Sequence, residues 1–370
     1  MNPKEVRARR LYSDILTCFT RKQHLDSFQV FLDLLLEAKG RPLPVQATVK
    51  SPAALSRFLN HYGWSTRSVV RAMRQHAQQT LLEFWQHAPH QRPRLELLID
   101  LTSLEKTGKF EELTDWMHVY NGVHGVHLVV LYLCCGPLRL PWAFQVWRGR
   151  DTPSPALLAL QLLRTVPNQL LNSGRQARVH ADGGFDSADF IHGVLDLGLD
   201  LIVGVRKNRK LADGRKVEDL TVRGSMVQLQ GLRQPVCISW VWLYRNEEPE
   251  QRFVMSNRRM GGVHLARVGK RRWKIEGFFK TIKGRFGLSR FAQHSKQGVL
   301  RWWCLSGLAF LLCHLQDLDV PTRPPGRWPD WGELAHHLRV MLVFEVRRAA
   351  LLLELDALDA AQRALFAPSS

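Results

Sequence analysis

The stretch ARVHADGGFDSADFIHGVLDLGLDLIVGVR, residues 177–206, decides the fold. It opens on a short strand, ARVHAD, that ends in Asp182. A helix is expected from about Ser187 to Leu197, and a second strand, LDLIVGVR, follows. Upstream, RLELLID is an apolar run ending in Asp100. Strand-like runs come next at Trp116–Tyr120, Val126–Cys135 and Trp142–Trp147, the last two joined by the turn signal GPLRLP. A helix is expected over Pro155–Leu171 before the quoted stretch begins. Strand runs followed by alternating strand and helix are the pattern of a mixed α/β sheet.

The texture changes on both sides of this core. Residues 1–88 read as helical, with apolar residues at helical spacing in Val6–Phe19, Ser27–Ala38 and Ser51–Leu59. Ser51-Pro52 supplies an N-cap and a first helical position, and Ser65 caps a second helix after a short glycine-containing turn. That is the outline of a helix-turn-helix, and Arg41 to Thr80 holds six basic residues and no acidic one. An ordinary helical hairpin with a solvated basic side has the same outline. Residues 206–261 open on RKNRKLADGRK and continue as alternating β-like runs, read as a β-rich insertion. Helices are expected at Val268–Gly284 and Gln297–Leu315, then the proline-rich linker VPTRPPGRWPDWG and a last helical region at Gly332–Leu355. The expected division is therefore a helical DNA-binding domain at 1–88, an α/β core at 89–205 and 262–318 split by the insertion at 206–261, and a C-terminal helical region at 319–370 assigned to dimerisation.

At 370 residues the chain is long enough for two or three domains. The 52 Lys+Arg outweigh 33 Asp+Glu to give a net charge of +19, which favours a polyanion, most simply nucleic acid. An anionic membrane is the rival, but no basic amphipathic helix or lipidation signal supports it. The apolar segment Leu300–Leu315 carries Arg301 and His314 and reads as a buried helix. The opening MNPKEVRARR lacks the apolar stretch of a signal peptide, and the six cysteines form no C-x-x-C pair. A cytoplasmic, nucleoid-associated protein that does not meet a membrane is expected.

Asp100 and Asp182 both end strands, where α/β sheets place functional groups. Two carboxylates brought together repel unless a cation compensates. Either one alone is equally a turn or cap residue. ARVGKRRWKIEGFFKTIKGRFGLSRF sets Arg272, Glu276, Lys280 and Lys283 on one helical face. Glu276 is the one acid among eight basic residues from Arg267 to Arg285. It is either an ion-pair partner of Arg272 and Lys280 or a metal ligand.

Arg272-x₃-Glu276-x₆-Lys283 resembles the Y-(2)-R-(3)-E-(6)-K signature of insertion-sequence-four-like bacterial DDE transposases, with Gly269 at the tyrosine position. Asp100, Thr102, Lys106 and Gly108 resemble the family's first-aspartate motif, with Leu101 where many relatives have a second Asp. Asp182, Gly184 and Phe185 resemble its second. The resemblance covers roughly residues 95–315. It implies a ribonuclease-H-like core and a cut-and-paste enzyme for double-stranded DNA, transposon ends and target alike, acting as a homodimer in a synaptic complex. It implies that Asp100, Asp182 and Glu276 hold two Mg²⁺, with Mn²⁺ substituting, about 3.5–4 Å apart. Arg272 and Lys283 would meet phosphates near the scissile bond. Lys106, Arg206, Lys207, Arg209, Lys210, Arg271, Lys280 and Arg285 are the further candidate DNA contacts. Trp240 and Trp242 are candidates to stack on a flipped base, with packing inside the sheet as the alternative. A nuclease without strand transfer and an inactive DNA-binding regulator are the competing functions.

Overall fold

The computed structural model describes residues 7–37, 42, 44–87, 92–108, 110–172, 176–245, 248–319 and 329–365. Val6, Ala38, the boundary at 88–89 and residues 320–328 of the proline-rich linker lie outside the described residues. The chain divides into two compact units. A helical unit takes residues 1–80, 110–113 and 279–370, and a sheet unit takes residues 81–109 and 114–278.

In chain order the helices are α1 (Arg7–Leu16), α2 (Lys22–Glu37), α3 (Pro52–Asn60), α4 (Thr66–His87), α5 (Pro155–Leu163), α6 (Asn168–Leu171), α7 (Ala188–Asp196), α8 (Gly262–Gly269), α9 (Trp273–Gly284), α10 (Lys296–Asp319) and α11 (Trp331–Leu365). The strands are β1 (Glu96–Glu105), β2 (Met117–Tyr120), β3 (Val123–Cys135), β4 (Leu138–Trp147), β5 (Arg178–Ala181), β6 (Asp200–Val205), β7 (Ser225–Val227), β8 (Val236–Arg245) and β9 (Glu248–Ser256).

All these strands join one mixed sheet, ordered β2-β3-β1-β5-β6-β9-β8-β7, with β4 also on β3. β4, β3 and β1 form an antiparallel meander, and β5 and β6 run parallel to β1. Helix α7 makes the crossover between β5 and β6, as a parallel pair requires. This is the mixed α/β core expected from the sequence. The central strands are buried along nearly their whole length, which is why LELLI and LDLIVGV read as continuous apolar runs rather than alternating ones. The β-rich stretch after residue 206 lengthens the same sheet, because β9 pairs antiparallel with β6.

Two expected helices differ in detail. The helix over Pro155–Leu171 is broken into α5 and α6, because Pro167 has no N–H to donate and pushes Val166 out of helical geometry. The helix at Val268–Gly284 begins earlier, as α8, and passes through a single 3₁₀ turn, Lys270–Arg272, before α9.

In the helical unit, α3 and α4 meet at the expected turn. Ser51 Oγ accepts the Ala54 N–H with Pro52 opening α3, and Ser65 Oγ accepts the Ser68 N–H at the start of α4. The turn is held from α10. The fully buried Arg301 donates to the carbonyls of Phe58, Leu59, Tyr62 and Trp64, at 2.6–3.2 Å, with its guanidinium 4.3 Å from the Trp64 ring. Gly298 permits the close approach, since a Cβ there would lie 2.2 Å from Asn60 Oδ1. α10 is long and apolar enough to cross a membrane, but 89% of that apolar window is buried inside the protein, as its Arg301 and His314 lead one to expect.

Candidate active site

The site is built on the two central parallel strands of the sheet unit. β1 and β5 pair with Glu96 beside Arg178 and Leu98 beside His180. The strand expected to end at Asp100 runs on to Glu105, because Leu101 to Glu105 continue the pairing with β3, so Asp100 stands midway along β1 while Asp182 follows the last residue of β5, close enough for its charge to act on the Asp100 carboxyl. Asp182 begins a short turn, its Oδ1 accepting the Gly184 N–H at 2.9 Å. Gly204 on β6 lets that turn lie flat, because a Cβ there would fall 2.7 Å from the Gly183 nitrogen.

The third acid comes from α9, which is pinned to the sheet by Phe278 stacked on Tyr132, with centroids 4.4 Å apart. Arg272, in the 3₁₀ turn before α9, joins two of the acids. Its Nη1 donates to Asp100 Oδ2 at 2.9 Å and its Nη2 to Glu276 Oε1 at 2.8 Å. The ion pair that the sequence left open for Glu276 is therefore formed, with Arg272 as the partner.

Asp100 is 8% exposed. Burial pushes its carboxyl up to about 7, the Asp182 charge pushes the same way, and Arg272 only partly offsets them. Tyr120 is raised too, by burial first and then by Asp182 and Asp100, so its phenol shares their field. Asp182, Arg272, Glu276 and Tyr120 line a cleft of about 1240 Å³ together with Arg206 and Lys207.

This donor set suits a hard divalent cation, since it offers carboxylate oxygens only, and its acids carry more negative charge than Arg272 neutralises. Among the described residues no three His, Cys, Asp or Glu side chains form a ready metal cage. A guanidinium stands where Asp100 and Glu276 would share such an ion.

The other expected contacts fall in different places. Lys207 and Lys210 are exposed, and Lys106 is half-buried beyond the end of β1. Arg206 is held by Asp186 at 2.8 Å, and Arg209 is half-buried against the same acid. Arg271 bonds Glu96 at 2.7 Å. Trp240 is buried, 5.8 Å from the Phe253 ring and 5.3 Å from the Arg223 guanidinium, so it packs inside the sheet, whereas Trp242 is 49% exposed. In the helical unit Lys280 is exposed, Lys283 lies over the Phe279 ring at 5.9 Å, and Arg285 donates to the Leu36 carbonyl. Sequence reasoning missed Tyr120 and Asp186. The first sits at a hairpin tip whose Asn121-Gly122 turn, with φ of 48° and 78°, was a usable signal. The second is the acid of the GGFD run, and its role is legible only once Arg206 is seen beside it.

A family model described as the transposase DDE domain matches residues 91–312. The chain belongs to the DDE transposase family. A solved structure to which this transposase is similar is the cryo-EM structure of the piggyBac transposase synaptic complex with hairpin DNA. The TM-score is 0.47 and the identity 12%, over 88% of this chain and 72% of that one. No curated protein sequence matches.

Proposed function

We propose that this DDE transposase binds the terminal inverted repeats of an insertion sequence, cuts them by metal-dependent phosphodiester hydrolysis and joins the ends to target DNA in a cut-and-paste reaction. The observation that carries the reading is Asp100, midway along β1, joined through Arg272 to Glu276, with Asp182 just past the end of β5 lining the same cleft as Arg272 and Glu276. Asp100, Asp182 and Glu276 are the residues that would hold the Mg²⁺ ions. Those ions, once bound, would lower the pKa of a water or 3′-hydroxyl and neutralise charge on the leaving oxygen.

The protein's own contribution is placement. Arg206 and Lys207 line the cleft with charge of the sign a phosphodiester backbone needs. Arg272 carries a planar fork suited to a phosphate. Lys280 and Lys283 continue along α9 from Glu276, and Trp242 is the exposed tryptophan of β8 available to a flipped base. The α3–α4 pair, with Arg57, Arg67 and Arg71 exposed, is assigned to reading the repeats. Two copies acting on paired ends complete the scheme.

The test is an assay on DNA carrying the element's own ends with Mg²⁺ or Mn²⁺. Cleavage followed by joining into a target supports the proposal. Cleavage without joining would assign a nuclease, and binding alone a regulator. Loss of cleavage in Glu276→Gln with end binding kept would support the site, and near-normal cleavage by that variant would refute it.

A further inference from the structure

We infer that Arg272 makes metal uptake depend on DNA: its guanidinium occupies Asp100 and Glu276 as a resident cation, and a DNA phosphate must draw it off before those carboxylates can take a metal ion. This rests on the reading of the site proposed above.

Both arms of the Arg272 fork are engaged, one on an acid from β1 and the other on an acid from α9, at 2.9 and 2.8 Å. The lone pairs facing the guanidinium are those a cation shared by the two acids would use. Arginine cannot vacate by losing its proton, since it stays charged at any working pH. It leaves only for a better anion, and a phosphate presents the same two-oxygen face as a carboxylate. Arg272 is also placed to meet one, because it lines the cleft beside Arg206 and Lys207. Its backbone lies in the 3₁₀ turn between α8 and α9, a short element that can re-aim a side chain without unwinding a long helix. Arg271, next in sequence, has no such position. It is bound to Glu96, which Lys274 also holds at 2.6 Å.

If one guanidinium is exchanged between carboxylates and phosphate, metal and DNA must favour each other's binding by equal factors. Without DNA, the resident arginine would hold Asp100 and Glu276 and keep the enzyme unloaded.

The experiment measures Mn²⁺ binding to the full-length chain by electron paramagnetic resonance, with and without a short duplex whose own Mn²⁺ uptake is measured in parallel. Wild type should bind weakly alone and on the order of tenfold more tightly with duplex. Arg272→Gln should bind on the order of tenfold more tightly than wild type without duplex and gain little from it. Arg272→Lys, which keeps the charge but not the fork, should fall between. Arg267→Gln, on the exposed side of α8 and outside the cleft lining, removes the same charge nearby and should match wild type. Equal affinity in wild type and Arg272→Gln overturns the inference and leaves the reading of the site standing. So does equal tightening in Arg267→Gln, which would make the effect one of net charge. No uptake by wild type or Arg272→Gln in either condition removes both.

Discussion

Strand β1 carries two buried acids four residues apart, Glu96 and Asp100, and they have opposite fates. At the entry end of the strand, Glu96 is bonded by Arg271 and Lys274, with His180 4.0 Å away. Burial works against its charge, but His180, Lys274 and Arg271 together hold its carboxyl below the ordinary range. The neighbouring Asp200 on β6 is likewise bonded by Arg94 at 2.6 Å and Arg258 at 2.7 Å, with Arg178 at 3.7 Å. Midway along the strand, Asp100 has one cation, which it shares with Glu276, and feels the charge of Asp182. Burial is alike at the two positions, so the count of neighbouring cations separates them. Acids with a surplus of cations lock the sheet, and an acid with a deficit keeps a raised carboxyl.

The largest effect expected from breaking this contrast is on catalysis. Asp100→Asn, Asp182→Asn and Glu276→Gln should each lower DNA cleavage by at least about a thousandfold in a strand-scission assay. End binding, measured by gel shift, should change little. At the start of the strand, Glu96→Ala should destabilise the fold by about 3 kcal/mol, because Arg271 and Lys274 lose their partner, and a denaturant titration would register it. A stable Glu96→Ala would mean the entry-end acids are dispensable and the contrast false.

A smaller effect separates the two acids by sign. The Asp100 carboxyl is raised, so the folded chain binds a proton there that the unfolded chain has released between about pH 4 and about 7. That contribution to stability is full below about pH 4 and is lost as pH rises through 7. Asp100→Asn should therefore raise metal-free thermal stability at pH 8, by on the order of 1–4 kcal/mol, with the gain fading toward pH 5. A loss of stability at pH 8 would show that Asp100 is fully compensated after all. The smallest effect is on DNA affinity: Lys207→Ala should weaken binding modestly and lower the slope of log affinity against log salt by about one. An unchanged slope would place Lys207 away from the backbone.

Much of this was legible in the sequence, because apolar runs led into Asp100 and Asp182 and turn residues marked the hairpins, although β1 continues past Asp100 to Glu105 through its pairing with β3. Glu276 stood out as a lone acid in a basic helix. What could not be read was pairing between distant segments. Nothing local in the β-rich stretch says that its last strand pairs with β6, since alternation fixes a strand's faces and not its neighbour. The break between α5 and α6 was foreshadowed by Pro167, overlooked because apolar spacing continued through it. Trp240 and Trp242 look alike in sequence, and only the sheet decides which of them packs inward. Arg272 offered two partners on paper, and its bond to an acid more than 170 positions away is a tertiary fact.

The Arg301 fork bears on how this protein can be dissected. Four carbonyls around the α3–α4 turn depend on one side chain lying more than 230 residues downstream. A fragment cut after α4 would expose Trp64 and strand those carbonyls without a donor. The expected outcome is a collapsed or wandering turn rather than a free-standing reader of DNA. Grafting the first helices alone onto a relative would transplant half of a joint.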